Sequence, residues 1–554
     1  MPRTIVIGAG VAGLASAALL AREGHDVLVL EKGFRTGGRA GMLAEDGFQF
    51  DTGPSWYLMP SVFEHFYNLM GTTAEEQLTL VDLDPAYRVY SEPHPGQAPP
   101  APVDLPKGAE RVRALFEELE PGSGPALERY IASAKRTTAI AERRFLYNPF
   151  KRLHNLAVPE VLKSAPELAQ LLLTSLERFV QRRFKHPVLR QILGYPAVFL
   201  GTRPQDAPAM YHLMSALDLD DGVRYPMGGF WEVLASFRRL AEAAGAQITT
   251  GAEVTEILTE ADPRSASGSR LGSRFRTGPQ RVATGVRWRD AQGRVHTEHA
   301  DHVVSAADLH HTETRLLSEA DRSYPEAWWE KVTSGPGAVL VMLGVRGELP
   351  ELAHHSLFFT RDWTANFESI FGENPSVPTP ASSYVCRASA SEPGLAPEGH
   401  ENLFVLIPVP ADVSLGAGGR DGAGDPTVEA IAQAAIEQIG GWGGIEDFEE
   451  RIVLRETIGP ADFAADYNSW RGSVLGQAHT LRQSAMFRPQ NVSPKVRGLY
   501  YAGGTVAPGI GVPMCLISAE LVLKHLRRDY SAGPLSPESL GPESLGADTV
   551  GQAG

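Results

Sequence analysis

The chain has 554 residues, 43% hydrophobic and 21% charged, the profile of a globular protein of several lobes rather than a fibrous or disordered one. Its 66 acidic and 51 basic residues give a net charge of -15, which offers no footprint for a nucleic-acid partner. Cys386 and Cys515 stand too far apart for a metal-ligand spacing or a disulfide framework, so no metal is expected.

In chain order, residues 4–7 predict a strand that starts almost at the N-terminus, which leaves no room for a signal peptide. A glycine-rich turn follows. Leu14, Ala17, Ala18 and Ala21 then mark a helix over 13–24, and residues 27–30 a second strand. This is a βαβ unit. Residues 60–225 read as mostly helical. One helix is predicted over 166–185, with Pro166 in its first turn, Pro187 beyond its end, and Leu168, Leu171, Leu172, Leu176, Phe179 and Val180 along it.

A second α/β signal starts at Pro226. It comprises a helix over 230–244, a strand over 247–250, a hairpin of 286–288 and 295–298, and a strand over 303–306. Residues 264–280, rich in Ser, Gly and Arg, predict a mobile loop. The apolar runs 338–345 and 403–409 are far below the ~20 residues that span a bilayer. A strand and glycine turn over 499–504 lead into a helix over 518–527. Residues 531–554, which repeat Pro-Glu-Ser-Leu-Gly, are expected to be disordered.

The turn Gly8-Ala9-Gly10-Val11-Ala12-Gly13 carries the first chemical signal. Gly8 permits the tight turn, Gly10 lets backbone approach a pyrophosphate, and Gly13 lets helix pack on strand. The helix N-terminus then faces the phosphates. Glu31, 23 residues after Gly8 and followed by Lys32, ends the second strand and can accept hydrogen bonds from ribose hydroxyls. Gly37-Gly38-Arg39 adds flexible backbone and a forked cation suited to a phosphate.

With these residues in view, the chain resembles the bacterial phytoene (carotenoid) desaturases, within the FAD-dependent amine oxidase superfamily. The resemblance rests on the opening fingerprint through Arg39, on Gly47-Phe48-Gln49-Phe50-Asp51-Thr52-Gly53-Pro54-Ser55 and on Tyr225-Pro226-Met227-Gly228-Gly229. It rests also on Tyr501-Ala502-Gly503-Gly504-Thr505 with Pro508-Gly509-Ile510-Gly511-Val512-Pro513-Met514. It implies an α/β fold: a Rossmann-type FAD-binding domain with an interleaved substrate domain and a helical, membrane-facing lobe. The expected division is 1–60 FAD-binding, 61–225 helical and membrane-facing, 226–310 second FAD-binding part, 311–490 substrate-binding, 491–530 C-terminal FAD-binding, and 531–554 a disordered tail.

The resemblance further implies that Val254 contacts the adenine through its backbone and that Gly503 and Gly504 close over the pyrophosphate and ribityl chain. Ile510, Gly511, Val512, Pro513 and Met514 lie beside the isoalloxazine ring. Val506-Ala507-Pro508-Gly509 departs from the Thr-His-Pro-Gly of many members, which leaves the carotenoid open but not the flavin.

The implied reaction is desaturation, with a hydride passing from a carotenoid CH–CH unit to flavin N5 and the flavin reoxidised by oxygen or a quinone. The substrate is phytoene or a later acyclic carotenoid, as in 3,4-desaturation. No catalytic acid or base stands out. Asp218, Asp220 and Asp221 are candidates, but a solvated acidic loop fits them better. A flavin-dependent carotenoid isomerase, an isoprenoid carrier of the GDP-dissociation-inhibitor type and an amine oxidase remain alternatives.

Between residues 141 and 190, ten Lys/Arg against four acids give a local +6 interleaved with apolar residues. That suits a membrane face built from Leu171, Leu172, Leu176, Phe179 and their arginines; a solvated lid is the other reading. A cytoplasmic, peripherally membrane-associated protein is expected.

Overall fold

Five short strands drawn from distant parts of the chain form one parallel sheet. In order they are Leu499–Tyr501, His302–Ser305, Arg3–Ile7, Asp26–Leu30 and Gln247–Thr249. The computed structural model describes residues 1–152, 158–220, 222–266 and 279–541. Strands buried on both faces need apolar runs, and Ile5, Val6, Val29, Val303 and Leu499 supply them. The first crossover helix, Val11–Arg22, is buried from Val11 to Ala21. It packs between the helices Gly229–Ala243 and Val512–Arg527, which explains why it is apolar all round.

A seven-stranded mixed sheet forms the second layer, in the order Ile452–Ile458, Gly337–Arg346, His400–Val409, Ser383–Cys386, His355–Phe359, Tyr87–Ser91 and Val103–Leu105. The apolar runs noted at 338–345 and 403–409 are paired central strands here. Helices Ala109–Leu119, Gly124–Ala141, Pro159–Leu173, Leu176–Gln181 and Pro187–Gly194 build a lobe beside this sheet. Its core joins Phe116, Tyr130, Phe179, Phe184 and Leu189 to Leu357 and Phe359 of the sheet.

Three expectations need correction. The helix predicted over 166–185 is two helices. Pro159, not Pro166, occupies the first turn, and Pro166 lies inside Pro159–Leu173. Extended backbone at Thr174 and Ser175 breaks the run, and the Ser175 hydroxyl accepts the Arg178 N–H to cap the second helix. The apolar periodicity continues across the break, so the sequence reads as one helix.

The tail does not become disordered at residue 531. Leu535 and Leu540 are buried, and Lys524 donates to the Ser531 and Gly533 carbonyls at 2.8 and 2.7 Å. Leu535 donates its N–H to Glu520 at 2.6 Å. Two leucines five residues apart suffice to anchor a polar segment; residues 542–554 lie outside the described residues, as do 267–278 of the predicted mobile loop.

Asp218 is not in a solvated loop. It is buried, and its Oδ2 accepts from Tyr87 at 3.0 Å and Tyr195 at 2.8 Å. Asp220 pairs with Lys135 at 2.5 Å, and Asp221 lies outside the described residues.

Candidate active site

The carboxyl ends of the parallel strands open onto one elongated cavity of about 710 Å³. Gly8, Gly10, Glu31, Lys32, Gly38, Arg39, Val254, Gly503, Gly504, Gly511, Val512, Pro513 and Met514 all line it. Gly13 does not. It packs against the first strand, where a Cβ would sit 1.9 Å from the Gly8 carbonyl oxygen. Helix and strand can approach this closely only without that atom.

Two other glycines are not explained by the protein's own packing. A Cβ on Gly10 would meet nothing nearer than 3.8 Å, and one on Gly504 nothing nearer than 3.6 Å. Neither has the left-handed φ that favours glycine. Both face the cavity, so the space they keep open is space for a ligand.

Helices Val11–Arg22 and Val512–Arg527 both begin at this cavity, and neither has a side-chain cap. Their first N–H groups are free to meet an anion. The Glu31 carboxylate accepts the N–H groups of Ala9 at 2.6 Å and Gly33 at 2.7 Å, so it fixes the glycine turn as well as facing the cavity. Lys32 is turned to the Ala465 carbonyl at 2.5 Å. Arg39 donates to Ser469 at 2.8 Å and lies 3.8 Å from Asp308, while its buried Nε has no partner among the described residues. These features fit a dinucleotide laid along the cleft, with the pyrophosphate across the glycines and the helix N-termini.

Beyond residues 503–514 the cavity becomes apolar. Leu168, Phe199, Leu200, Met210, Leu340 and Leu406 line it, with Trp56 and Tyr384 on one wall. Behind that wall, His355 stacks on Trp56 with centroids 4.5 Å apart and shares a 2.8 Å hydrogen bond with the Tyr384 hydroxyl. His354, His355 and Cys386 form a buried trio of possible ligands there, which the cysteine spacing alone did not suggest. Both cysteines are free thiols.

Leu172, Leu481, Met486 and Phe487 line the cavity and are also solvent-exposed, so they mark its mouth. The apolar residues expected to form a membrane face are not exposed as a set. Leu171, Leu176 and Phe179 are buried in the lobe, and the Arg183 guanidinium stacks on the Phe179 ring. Only Leu172 of the expected apolar set is exposed, joined by Leu162 and Leu173 on the same helix.

Sequence reasoning missed a polar cluster at the junction of the two halves. His479 is buried, and its Nε2 accepts the Ile510 N–H at 3.1 Å. Its Nδ1 then carries the proton and donates to Tyr211 at 2.7 Å, whose hydroxyl donates to Ser484 at 3.1 Å. Burial holds this imidazole far below its usual range, so it is neutral. No motif flags it, because its partners come from three separate stretches of chain.

The profile of flavin-containing amine oxidoreductases matches residues 11–522. The chain is 38% identical over 526 residues to the carotenoid 3,4-desaturase of Haloarcula japonica, covering 95% of this chain and 98% of that protein. It is 32% identical over 527 residues to a zeta-carotene-forming phytoene desaturase of Myxococcus xanthus, covering 95% and 93%. An oxidoreductase from Methanosarcina mazei has a similar structure, with a TM-score of 0.58 at 18% identity over 94% of this chain and 100% of that one. A putrescine oxidase gives 0.55 at 14% identity over 96% and 98%. These two likenesses speak for the fold alone.

Proposed function

Because the chain belongs to the flavin-containing amine oxidoreductases, we propose that it is an FAD-dependent carotenoid desaturase acting on phytoene or a later acyclic carotenoid. The observation that carries this reading is the continuity of the cavity: one glycine-walled cleft runs directly into an apolar chamber. FAD would supply the hydride acceptor, and the carbon next to the resulting cation would give up a proton to a base or to solvent as the double bond forms. The chain's own part is to hold the polyene and keep the chamber dry, since Phe199, Leu200, Leu340 and Leu406 offer a hydrocarbon only packing.

Glu31 and the backbone near Val254 bind the adenosine end, Gly10 and Arg39 the pyrophosphate, and Gly503 and Gly504 close over the pyrophosphate and ribityl chain. The relatives in Haloarcula japonica and Myxococcus xanthus are both named as desaturases, which favours desaturation over isomerisation or a carrier role. Oxygen or a quinone reoxidises the flavin.

The substrate dissolves in bilayers, and the exposed apolar mouth suits contact with one. The contact we propose is peripheral; among the described residues no helix is long and apolar enough to cross a membrane. Expression in cells that make phytoene, and separately in cells that make lycopene, tests the reaction. New, longer chromophores are expected in at least one. Unchanged carotenoids in both, from a yellow protein that releases free FAD on denaturation, would reject the substrate and leave the flavin. A colourless protein that takes up no FAD would reject both.

A further inference from the structure

Arg488 is 1% exposed and among the largest fully buried side chains. Its guanidinium donates only to carbonyls: Gly504 at 2.6 Å, Gln483 at 3.1 Å, and Gln477 and Val506 at 3.2 Å each. No carboxylate faces it among the described residues; its titratable neighbours are Tyr211 and His479. Both are neutral near pH 7, because burial raises the Tyr211 phenol and lowers the His479 imidazole. Burial pulls Arg488 down only to about 10, so it stays charged at neutral pH.

A buried cation with no counter-ion is costly, and carbonyl dipoles offset only part of that cost. The fold has put this charge one peptide behind the cavity wall. Gly504, whose carbonyl it holds, lines the cavity and has no side chain to screen it. The pyrophosphate charge lies along the glycines and helix N-termini of that cavity, so a cation held behind Gly504 biases the neighbouring flavin end toward the further negative charge that develops on reduction.

We propose that Arg488 is the electrostatic partner of the reduced flavin, favouring its anionic form and so raising the reduction potential. The inference rests on the flavin reading of this cavity. Hydride transfer breaks a substrate C–H bond and delivers two electrons and one proton to the flavin. The flavin thereby gains one unit of negative charge, and the substrate cation later sheds a proton to solvent. A positive charge in place before the step favours that product without reorganisation. Arg488 touches neither substrate nor cofactor. It acts through the Gly504 peptide, as a positioning residue.

The test is the flavin midpoint potential of the purified holoprotein between pH 6 and 9, which needs no carotenoid. One proton per two electrons is expected, a slope of about 30 mV per pH unit. A slope near 59 mV, the mark of neutral reduced flavin, would overturn the inference. Arg488→Met should disfavour reduction at least tenfold, about 30 mV for a two-electron couple, while Arg488→Lys should hold the potential.

Equal shifts in both variants would assign the effect to lost hydrogen bonds and overturn it, as would no shift in Arg488→Met. If Arg488→Met does not accumulate with flavin, the wild-type slope together with Arg488→Lys decides. A protein that takes up no flavin rejects the reading of the cavity itself, which a flavin-loaded protein of the wrong slope does not.

Discussion

Single atoms separate the ligand-serving residues from the structural ones. A methyl at position 13 would fall 1.9 Å from a backbone oxygen, whereas one at position 10 meets only ordinary contacts. Gly13→Ala should therefore fail to fold or lose several kcal/mol, through strain between the first helix and strand. Gly10→Ala should fold, with a Tm within several degrees of the parent from its weaker N-cap, yet bind FAD at least tenfold less tightly. Thermal melting of the apoproteins and titration with FAD check both. An intact FAD affinity in Gly10→Ala would mean the phosphates lie elsewhere. Glu31→Ala should also weaken FAD about tenfold or more, as the loss of hydrogen bonds to a charged group implies. Part of that loss arises because the Ala9 and Gly33 N–H groups lose the carboxylate that holds the turn.

At the scale of elements, the lobe helix Pro159–Leu173 and the segment 481–487 meet at the mouth of the chamber. Leu173 is 81% exposed and Phe487 64%, and such large apolar surfaces seldom stand together without a partner. Inserting each into an acyl boundary contributes about 1.5–3 kcal/mol. Leu173→Glu combined with Phe487→Glu should therefore weaken binding to anionic liposomes by well over tenfold, with flavin content unchanged. Co-sedimentation measures this, and equal sedimentation of parent and variant would place the contact on another face. Reversing Arg178, Arg182 and Arg183 is a poorer test, because Arg183 is packed on Phe179 and its loss would disturb the lobe.

For the whole molecule, buried carboxylates shape the pH dependence of stability. Burial raises Asp218 from 3.8 to about 7, although two tyrosine hydroxyls partly oppose the shift. The folded state then binds a proton that the unfolded state has released between those values. This contribution to stability consequently falls as pH rises from about 4 to about 7, and levels off above. Asp218→Asn should remove that slope and stabilise the protein above pH 7 by an amount on the order of a few kcal/mol. Denaturant unfolding at pH 5 and pH 8 measures the difference between variant and parent. An equal effect at both pH values would mean that Asp218 does not titrate there. Asp51, also raised to about 7, is present in both proteins and cancels in the comparison.

The sequence alone was enough for the glycine turn, the acid that ends the second strand and the late glycine segment, because each is a local backbone demand written in consecutive residues. The same locality made the first strand–helix–strand unit and the strands near 247, 303 and 499 readable. What tertiary structure decided depends on residues far apart in the chain. Periodicity cannot tell which side of a helix meets the core, so Leu171, Leu176 and Phe179 turned inward while Leu172 and Leu173 faced out. Asp218 became buried because Tyr87 and Tyr195 converge on it, and residues 531–541 became ordered because Lys524, Arg527 and Glu520 capture them. The buried cation Arg488, which no carboxylate faces among the described residues, gained its place beside Gly504 in the same way. An arginine looks solvated in any sequence until the fold closes over it and leaves it without an acid.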